Sequence, residues 1–379
     1  DLLLPPTKGN MAKLYKIGIN AYLQKRYPIS LVHFVTNRCN ARCKHCFIDF
    51  DSPNAFKNEL SLDEIAKLTK TYGKSLLNVN ITGGEPFLRP DLFEIVKLYF
   101  ENAAVNSVYI TSHGGFPDRI RRFVDKFKAS KIKGQIIISL SIDNFPEEHN
   151  LNRKVRGLFD KTMETYKMLS QYEKDNIIPN IAITVTHHNF HRALEIYEFL
   201  KSEHKVTSFS AIAMREQGVV EPIDANIKKS IYEAYSALTK KISEDMRSRQ
   251  TTGYKGSFIS RMLNAKNSLL YDILKDTYLD PHYVSDCPSA AMFGVIYANG
   301  DVYPCEVLDE KKLGNLHDFN MNFMDLWSSS DTSSCRKFIL DTKCNCTYEC
   351  ALGINIITNA KHIPSLLSGL TKQSISNGK

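Results

Sequence analysis

No run in this 379-residue sequence approaches the ~20 consecutive apolar residues of a membrane-spanning helix, so no membrane role is expected. The opening residues, Asp1-Leu2-Leu3-Leu4-Pro5-Pro6, lack the basic region and apolar core of a secretory signal. Met11 is a candidate natural start, which makes residues 1–10 a lead-in, and the cytoplasm is the expected compartment. Basic residues outnumber acidic ones, 49 to 41, but they are scattered. With no basic block and no aromatic platform, nucleic acid is not an expected partner, and Lys126 and Lys128 read as a solvated helix face. There is one tryptophan, no repeat of fixed period and no low-complexity tract. What remains is 43% hydrophobic and 24% charged, the balance of a globular protein with a substantial core. Nine cysteines stand out. In a reducing compartment, clustered cysteines imply metal before disulfide.

Six short strand-like runs, at 31–35, 79–81, 108–111, 136–142, 181–186 and 209–214, alternate with helical patterns. Ser61 and Glu64 read as a capping box, and Asp91 gives an acidic helix start after Pro90. Strand–helix alternation implies a parallel sheet with right-handed crossovers. Six units are too few for a closed eight-stranded barrel. The expected fold is therefore α/β, a partial (β/α)6 TIM-like barrel over 29–220 after a lead-in at 1–28. Chemistry is expected at the C-terminal ends of its strands. A charged helical bridge follows at 221–284, then a small cysteine-rich unit at 285–355 and a polar tail at 356–379. Within the cysteine-rich unit, 292–297 and 302–303 read as a hairpin turned by Asn299 and Gly300.

Cys39, Cys43 and Cys46 directly follow the first strand. Three thiolates at this spacing can hold three irons of a cubane cluster and leave the fourth iron open. The competing reading is zinc, which needs a fourth ligand from a distant residue or from His45 within the motif. The CxxxCxxC spacing, with an aromatic-type residue before the last cysteine, resembles the radical S-adenosylmethionine family. The resemblance implies a 4Fe–4S cluster whose open iron takes the amino and carboxylate groups of S-adenosyl-L-methionine.

Gly83-Gly84-Glu85-Pro86, after the second strand, resembles the family segment that hydrogen-bonds the amino group of S-adenosylmethionine. The glycines free the backbone for close approach, and the Glu85 carboxylate is a candidate partner for an ammonium group. Ser141 and Arg153, flanking Asp143, resemble the Ser-Leu-Asp-Gly segment and downstream arginine of relatives with auxiliary clusters, with Asn144 in place of the glycine. That implies contacts from Ser141 and Arg153 to the ribose and carboxylate, a suitable use of arginine; a surface ion pair is the alternative for Arg153. Thr186 and Asn189 are candidates for adenine or ribose contacts. His113, His187 and His188 fall near strand ends and receive no role.

Cys287, Gly300 and Cys305 open the second cysteine group, followed by Cys335, Cys344, Cys346 and Cys350. This region resembles the SPASM or twitch auxiliary-cluster extension, but lacks part of the two-cluster SPASM pattern. Six cysteines cannot fully ligate two cubanes. One auxiliary 4Fe–4S cluster is favoured, on Cys287, Cys305 and Cys350, completed by Cys346 or Cys344; two incomplete clusters are the alternative. Cys335 is then either a buried small residue or a hydrogen-atom donor to a substrate radical.

These resemblances imply an oxidoreductase-like radical enzyme that makes a 5′-deoxyadenosyl radical, with a flavodoxin or ferredoxin as reducing partner. The expected substrate is a small polar metabolite or sugar derivative, oxidised or epimerised, because the 38 residues before Cys39 are too few for a leader-recognition domain. The alternatives are oxidation or cross-linking of a peptide or protein, and a non-catalytic electron carrier.

Overall fold

The computed structural model describes residues 15–73, 75–215, 223–252 and 258–375; Met11, residues 1–10 and the last residues of the expected tail lie outside these. The six strands form in chain order as β1 (Ser30–Thr36), β2 (Asn78–Gly83), β3 (Ser107–Ser112), β4 (Gln135–Ser141), β5 (Ile177–Val185) and β6 (Phe209–Ala213). Each pairs in parallel with its neighbour in sequence. Helices make the crossovers that parallel pairing requires: α1 (Leu62–Leu68), α2 (Leu92–Glu101), α3 (Pro117–Ser130), α4 (Pro146–Arg153), α5 (Leu158–Leu169) and α6 (Ala193–Ser202). The Ser61 and Glu64 capping box opens α1. Asp91, by contrast, caps nothing with its side chain. Its carboxylate takes the Arg89 guanidinium at 2.8 Å, and Arg89 also donates to the carbonyls of Val35 and Leu60.

The strand faces differ in chemistry. Val79, Ile81, Val108, Ile110, Ile136, Ile138, Leu140, Ile181 and Ile183 are fully buried, as expected of the face that helices cover. The opposite face carries Asn80, Tyr109, Ser139, Asn180 and Ser210, all half-buried, and the exposed Thr111. Asn180 donates to Ser139 Oγ at 3.1 Å and Ser210 Oγ at 2.9 Å, so β4, β5 and β6 share one polar surface.

The sheet does not end at β1. Strand β7 (Phe293–Ile296) joins the free edge of β1 in parallel, followed by antiparallel β8 (Asp301–Tyr303) and β9 (Gly314–Asn315). The β7–β8 turn has Gly300 at φ +83°, a conformation suited to glycine. All seven residues of β1 are buried between its two neighbours. Two long helices, α7 (Ala225–Arg247) and α8 (Phe258–Leu279), form the bridge. After β9 come α9 (Phe323–Trp327), α10 (Ser330–Asp341), α11 (Glu349–Thr358) and α12 (Ile363–Ile375). Residues 356–375, expected as a polar tail, are therefore largely helical, and α12 packs on α8. Among the described residues no helix is long and apolar enough to cross a membrane.

Trp327 locks the cysteine-rich unit to the barrel. It is fully buried and stacks on Phe323 at 4.9 Å, and Phe323 meets the Tyr72 ring edge-on at 4.9 Å. A Cβ on Gly294 of β7 would lie 2.8 Å from its ring. Among the described residues Trp327 Nε1 has no hydrogen-bond partner, so truncation removes packing and the Arg336 guanidinium's contact with the ring, at 5.5 Å. Trp327→Ala is expected to lower the unfolding free energy in urea by about 3–5 kcal/mol. A loss below about 1 kcal/mol would contradict this interlock.

Candidate active site and auxiliary cluster centre

The loops at the C-terminal ends of the strands converge on the first cysteine group. Backbone N–H groups of Ala41 and Ile48 approach the sulfurs of Cys39 and Cys46 at 3.4 and 3.5 Å. Arg153 Nη1 stands 3.8 Å from Cys43 Sγ. The carbonyls of Arg153 and Asn152, at the end of α4, accept from Arg42 N and Lys44 N and hold the loop in place. Burial pushes the Cys39 thiol up to about 12 and raises that of Cys43, so thiolates here need positive charge beside them, which metal supplies. His45, the internal fourth ligand that zinc would use, instead faces Asp143, with Nε2 at 3.8 Å from Oδ2. Three sulfurs on one loop, each with a donor, fit a cluster held by three cysteines.

Gly83 and Gly84 clasp the chain that leads into Cys39. Gly84 N donates to Thr36 O and Glu85 N to Arg38 O, both at 2.8 Å. A Cβ on Gly83, at φ +136°, would lie 2.0 Å from Thr36 O, and one on Gly84 2.3 Å from Arg38 O. The sequence reading gave the Glu85 carboxylate to an ammonium group, and here the structure differs. That carboxylate is fully buried and accepts from Phe87 N, Ser112 Oγ and His113 N at 2.9–3.0 Å. In this structure it joins β2 to β3 through Ser112 and His113. His113 adds a further tie through Nε2 to Asn40 Oδ1 at 2.8 Å.

Arg153 also departs from its expected role. It is buried and paired with Asp143, through Nε at 3.0 Å and a still closer Nη2. Its guanidinium is thereby aimed at Cys43 and is committed to a protein carboxylate. Thr186 and Asn189 are buried as well. Asn189 Nδ2 donates to the carbonyls of Asp143 and Thr184, while its Oδ1 accepts from Thr186 N at 2.7 Å. Thr186 Oγ1 accepts from His188 N at 3.1 Å. These two residues build the turn that supports Asp143. Ser141 ends β4 and stays half-buried opposite Ala182.

Sequence reasoning missed a bridge between the two cysteine regions. Arg215, just after β6, lies 3.4 Å above the Phe47 ring and pairs with Glu306 Oε2 at 2.5 Å. Tyr348 OH donates to Glu306 Oε1 at 2.6 Å. Phe47 follows Cys46, Glu306 follows Cys305 and Tyr348 lies two residues after Cys346, but nothing local in sequence links them to Arg215. In the auxiliary region, Cys287, Cys344 and Cys346 line one small, open pocket. Cys335 lies buried on α10, within the main hydrophobic core, and burial raises its thiol.

Two family models match this chain: the radical SAM superfamily over residues 34–200 and the SPASM iron-sulfur cluster-binding domain over residues 287–351. GTP 3′,8-cyclase of Klebsiella pneumoniae (strain 342) is 34% identical over 128 residues, 33% of this chain and 36% of that enzyme. The chain thus spans about a third of the length of the curated relatives it matches. Among solved structures, anSMEcpe with bound AdoMet is 21% identical, covers 93% of this chain and 96% of its own, and has a TM-score of 0.60. Streptococcus suis SuiB bound to S-adenosylmethionine is 19% identical, with 87% and 72% covered and a TM-score of 0.56. At these identities the structures establish a shared fold. Cysteine loop, glycine clasp and matched domains together place the chain in the radical SAM superfamily, among the enzymes that bind S-adenosylmethionine and 4Fe–4S clusters and carry a C-terminal SPASM domain.

Proposed function

We propose that this enzyme removes a hydrogen atom from a residue of a peptide or protein segment lying against the polar face of the partial barrel, with net oxidation of that residue. The observation that carries this reading is the extent of the match to anSMEcpe, which runs through barrel, bridge and auxiliary unit. That fold has been solved with a Cp18Cys peptide bound, and SuiB with its precursor peptide SuiA. The polar side chains from Asn80 to Ser210 on that face, partly tied to one another through Asn180, give a peptide a polar surface to lie against.

When bound, the cluster and S-adenosylmethionine supply a 5′-deoxyadenosyl radical, with the auxiliary cluster available to accept an electron. The chain's own work is positional. Cys39, Cys43 and Cys46 hold three irons, and Gly83 and Gly84 fix the approach to Cys39. Arg215 spans the gap to the auxiliary unit, and a flavodoxin or ferredoxin is the natural reductant. The test is release of 5′-deoxyadenosine by anaerobically reconstituted protein given reductant and host extract split into polypeptides and small molecules. Stimulation by the polypeptide fraction, abolished in Cys39→Ala, is expected. Stimulation confined to the small-molecule fraction would return the substrate to the metabolite class and overturn the peptide reading.

A further inference from the structure

Lys126, Lys128, Lys201, Lys241 and Lys312 each pair with a carboxylate, at 2.6–3.3 Å. Lys25, Lys343 and Lys361 are exposed and, among the described residues, pair with none. These three ring one short segment, 283–288. Lys361 Nζ donates to the carbonyl of Val284, and Lys343 Nζ lies 5.9 Å from the centre of the Tyr283 ring. Lys25 follows the helical turn Asn20–Gln24 and lines an open pocket with Asp286, Cys287, Arg336 and Leu340. Arg336 is the fourth cation, its guanidinium held by the carbonyls of Ala290 and Trp327. Among the described residues, Asp286 is the one carboxylate that lines this pocket, and it accepts from Tyr283 OH. Apolar groups stand among the charges: Leu340 is 52% exposed and Tyr283 37%. Apolar groups within a charged rim are the anatomy of a protein-docking face, and the excess of cations selects an acidic partner.

Cys287 connects this face to the auxiliary region. It lines the docking pocket and also the neighbouring pocket that Cys344 and Cys346 line. The segment around it therefore turns one side to the candidate cluster site and another to the cationic face. We infer that this face docks a small acidic protein that carries one electron, and that the electron exchanged there is that of the auxiliary cluster. Net oxidation of a substrate residue leaves the auxiliary cluster holding an electron that must leave before the next turnover. At this face the reduced cluster gives up one electron and the carrier gains it; no bond is made or broken. The inference rests on the SPASM domain and its redox-active cluster, and not on which substrate the barrel takes.

The test uses oxidised flavodoxin, an acidic electron carrier, as the probe, and measures its Kd for the anaerobically reconstituted full chain. Wild type is expected to bind at low salt and to weaken by about tenfold or more at ~0.3 M salt. Lys25→Glu/Lys343→Glu/Lys361→Glu is expected to weaken low-salt binding by about tenfold or more, with iron content unchanged. Lys126→Glu/Lys128→Glu/Lys133→Glu makes the same change of net charge on α3 and the loop after it, and should stay within about twofold of wild type. A chain carrying Cys39→Ala, Cys43→Ala and Cys46→Ala, reduced and then freed of reductant, should pass an electron to flavodoxin without any substrate. That transfer should be about tenfold slower once Lys25, Lys343 and Lys361 are changed as well. No binding by wild type, equal binding by the pocket variant, an equal loss in the α3 variant, or binding without electron transfer overturns the inference. If the pocket variant loses iron, Lys25→Gln/Lys343→Gln, which leaves Lys361 on Val284, takes its place and should bind about threefold more weakly than wild type.

Discussion

Arg153→Met is expected to destabilise the chain by about 3–5 kcal/mol, because it strands a buried carboxylate. Methionine replaces much of the apolar stem but not the guanidinium. Asp143 is 2% exposed, and its remaining donor is Thr184 N at 3.2 Å, with His45 nearby. Burial pushes the Asp143 carboxyl up, but Arg153 first, then His45 and His149, outweigh it and hold the group at about 2. A folded value below the unfolded one, about 3.9, means that its contribution is complete above pH ~4. It is lost as pH falls towards 2, and it amounts to on the order of 2 kcal/mol. Urea unfolding of the metal-free chain at pH 5 and pH 2.5 should show this loss in the wild type and a much smaller one in Arg153→Met. Equal acid sensitivity in both would remove Asp143 from the account. The double variant Asp143→Asn/Arg153→Met should recover part of the stability at pH 7, since neither partner is then left charged and alone.

What was legible in the sequence and what was not divide along range and polarity. The strands could be found because runs such as Ile136-Ile137-Ile138 are buried between helices and neighbouring strands, and burial writes itself as hydrophobicity. Cys39, Cys43 and Cys46 could be found because one loop carries all three. Glu85, Thr186 and Asn189 were placed correctly at strand ends, but their polar atoms turned inward to satisfy buried backbone donors and acceptors. For Asn189 there was a signal in its residue type, since asparagine side chains commonly bond nearby backbone in turns. Arg215 and Glu306 are 91 residues apart, and β7 joins β1 across more than 250. Neither contact leaves a periodic or local trace, because both depend on the whole sheet already being formed.

Gly84→Ala removes no functional group, yet it should lower 5′-deoxyadenosine release by about 100-fold or more. The added Cβ would meet Arg38 O at 2.3 Å, Arg38 C at 2.6 Å and Asn37 O at 2.7 Å. All three are backbone atoms, so no rotamer change can clear them. Either residues 37–38 move, carrying Cys39 with them, or the glycine segment retreats and gives up the bonds from Gly84 N to Thr36 O and Glu85 N to Arg38 O. Both routes displace the first cluster relative to the segment beside it, while the auxiliary cysteines, held by other elements, keep their iron. Gly157→Ala separates this clash from a general intolerance of alanine. Gly157 also has a left-handed backbone, φ +65°, but a Cβ there meets nothing within 4 Å. It should cost roughly 1–2 kcal/mol of stability from conformation alone and leave release within about twofold of wild type. If Gly84→Ala were as active as Gly157→Ala, the close contact between the two loops would not be what holds Cys39 in its working position.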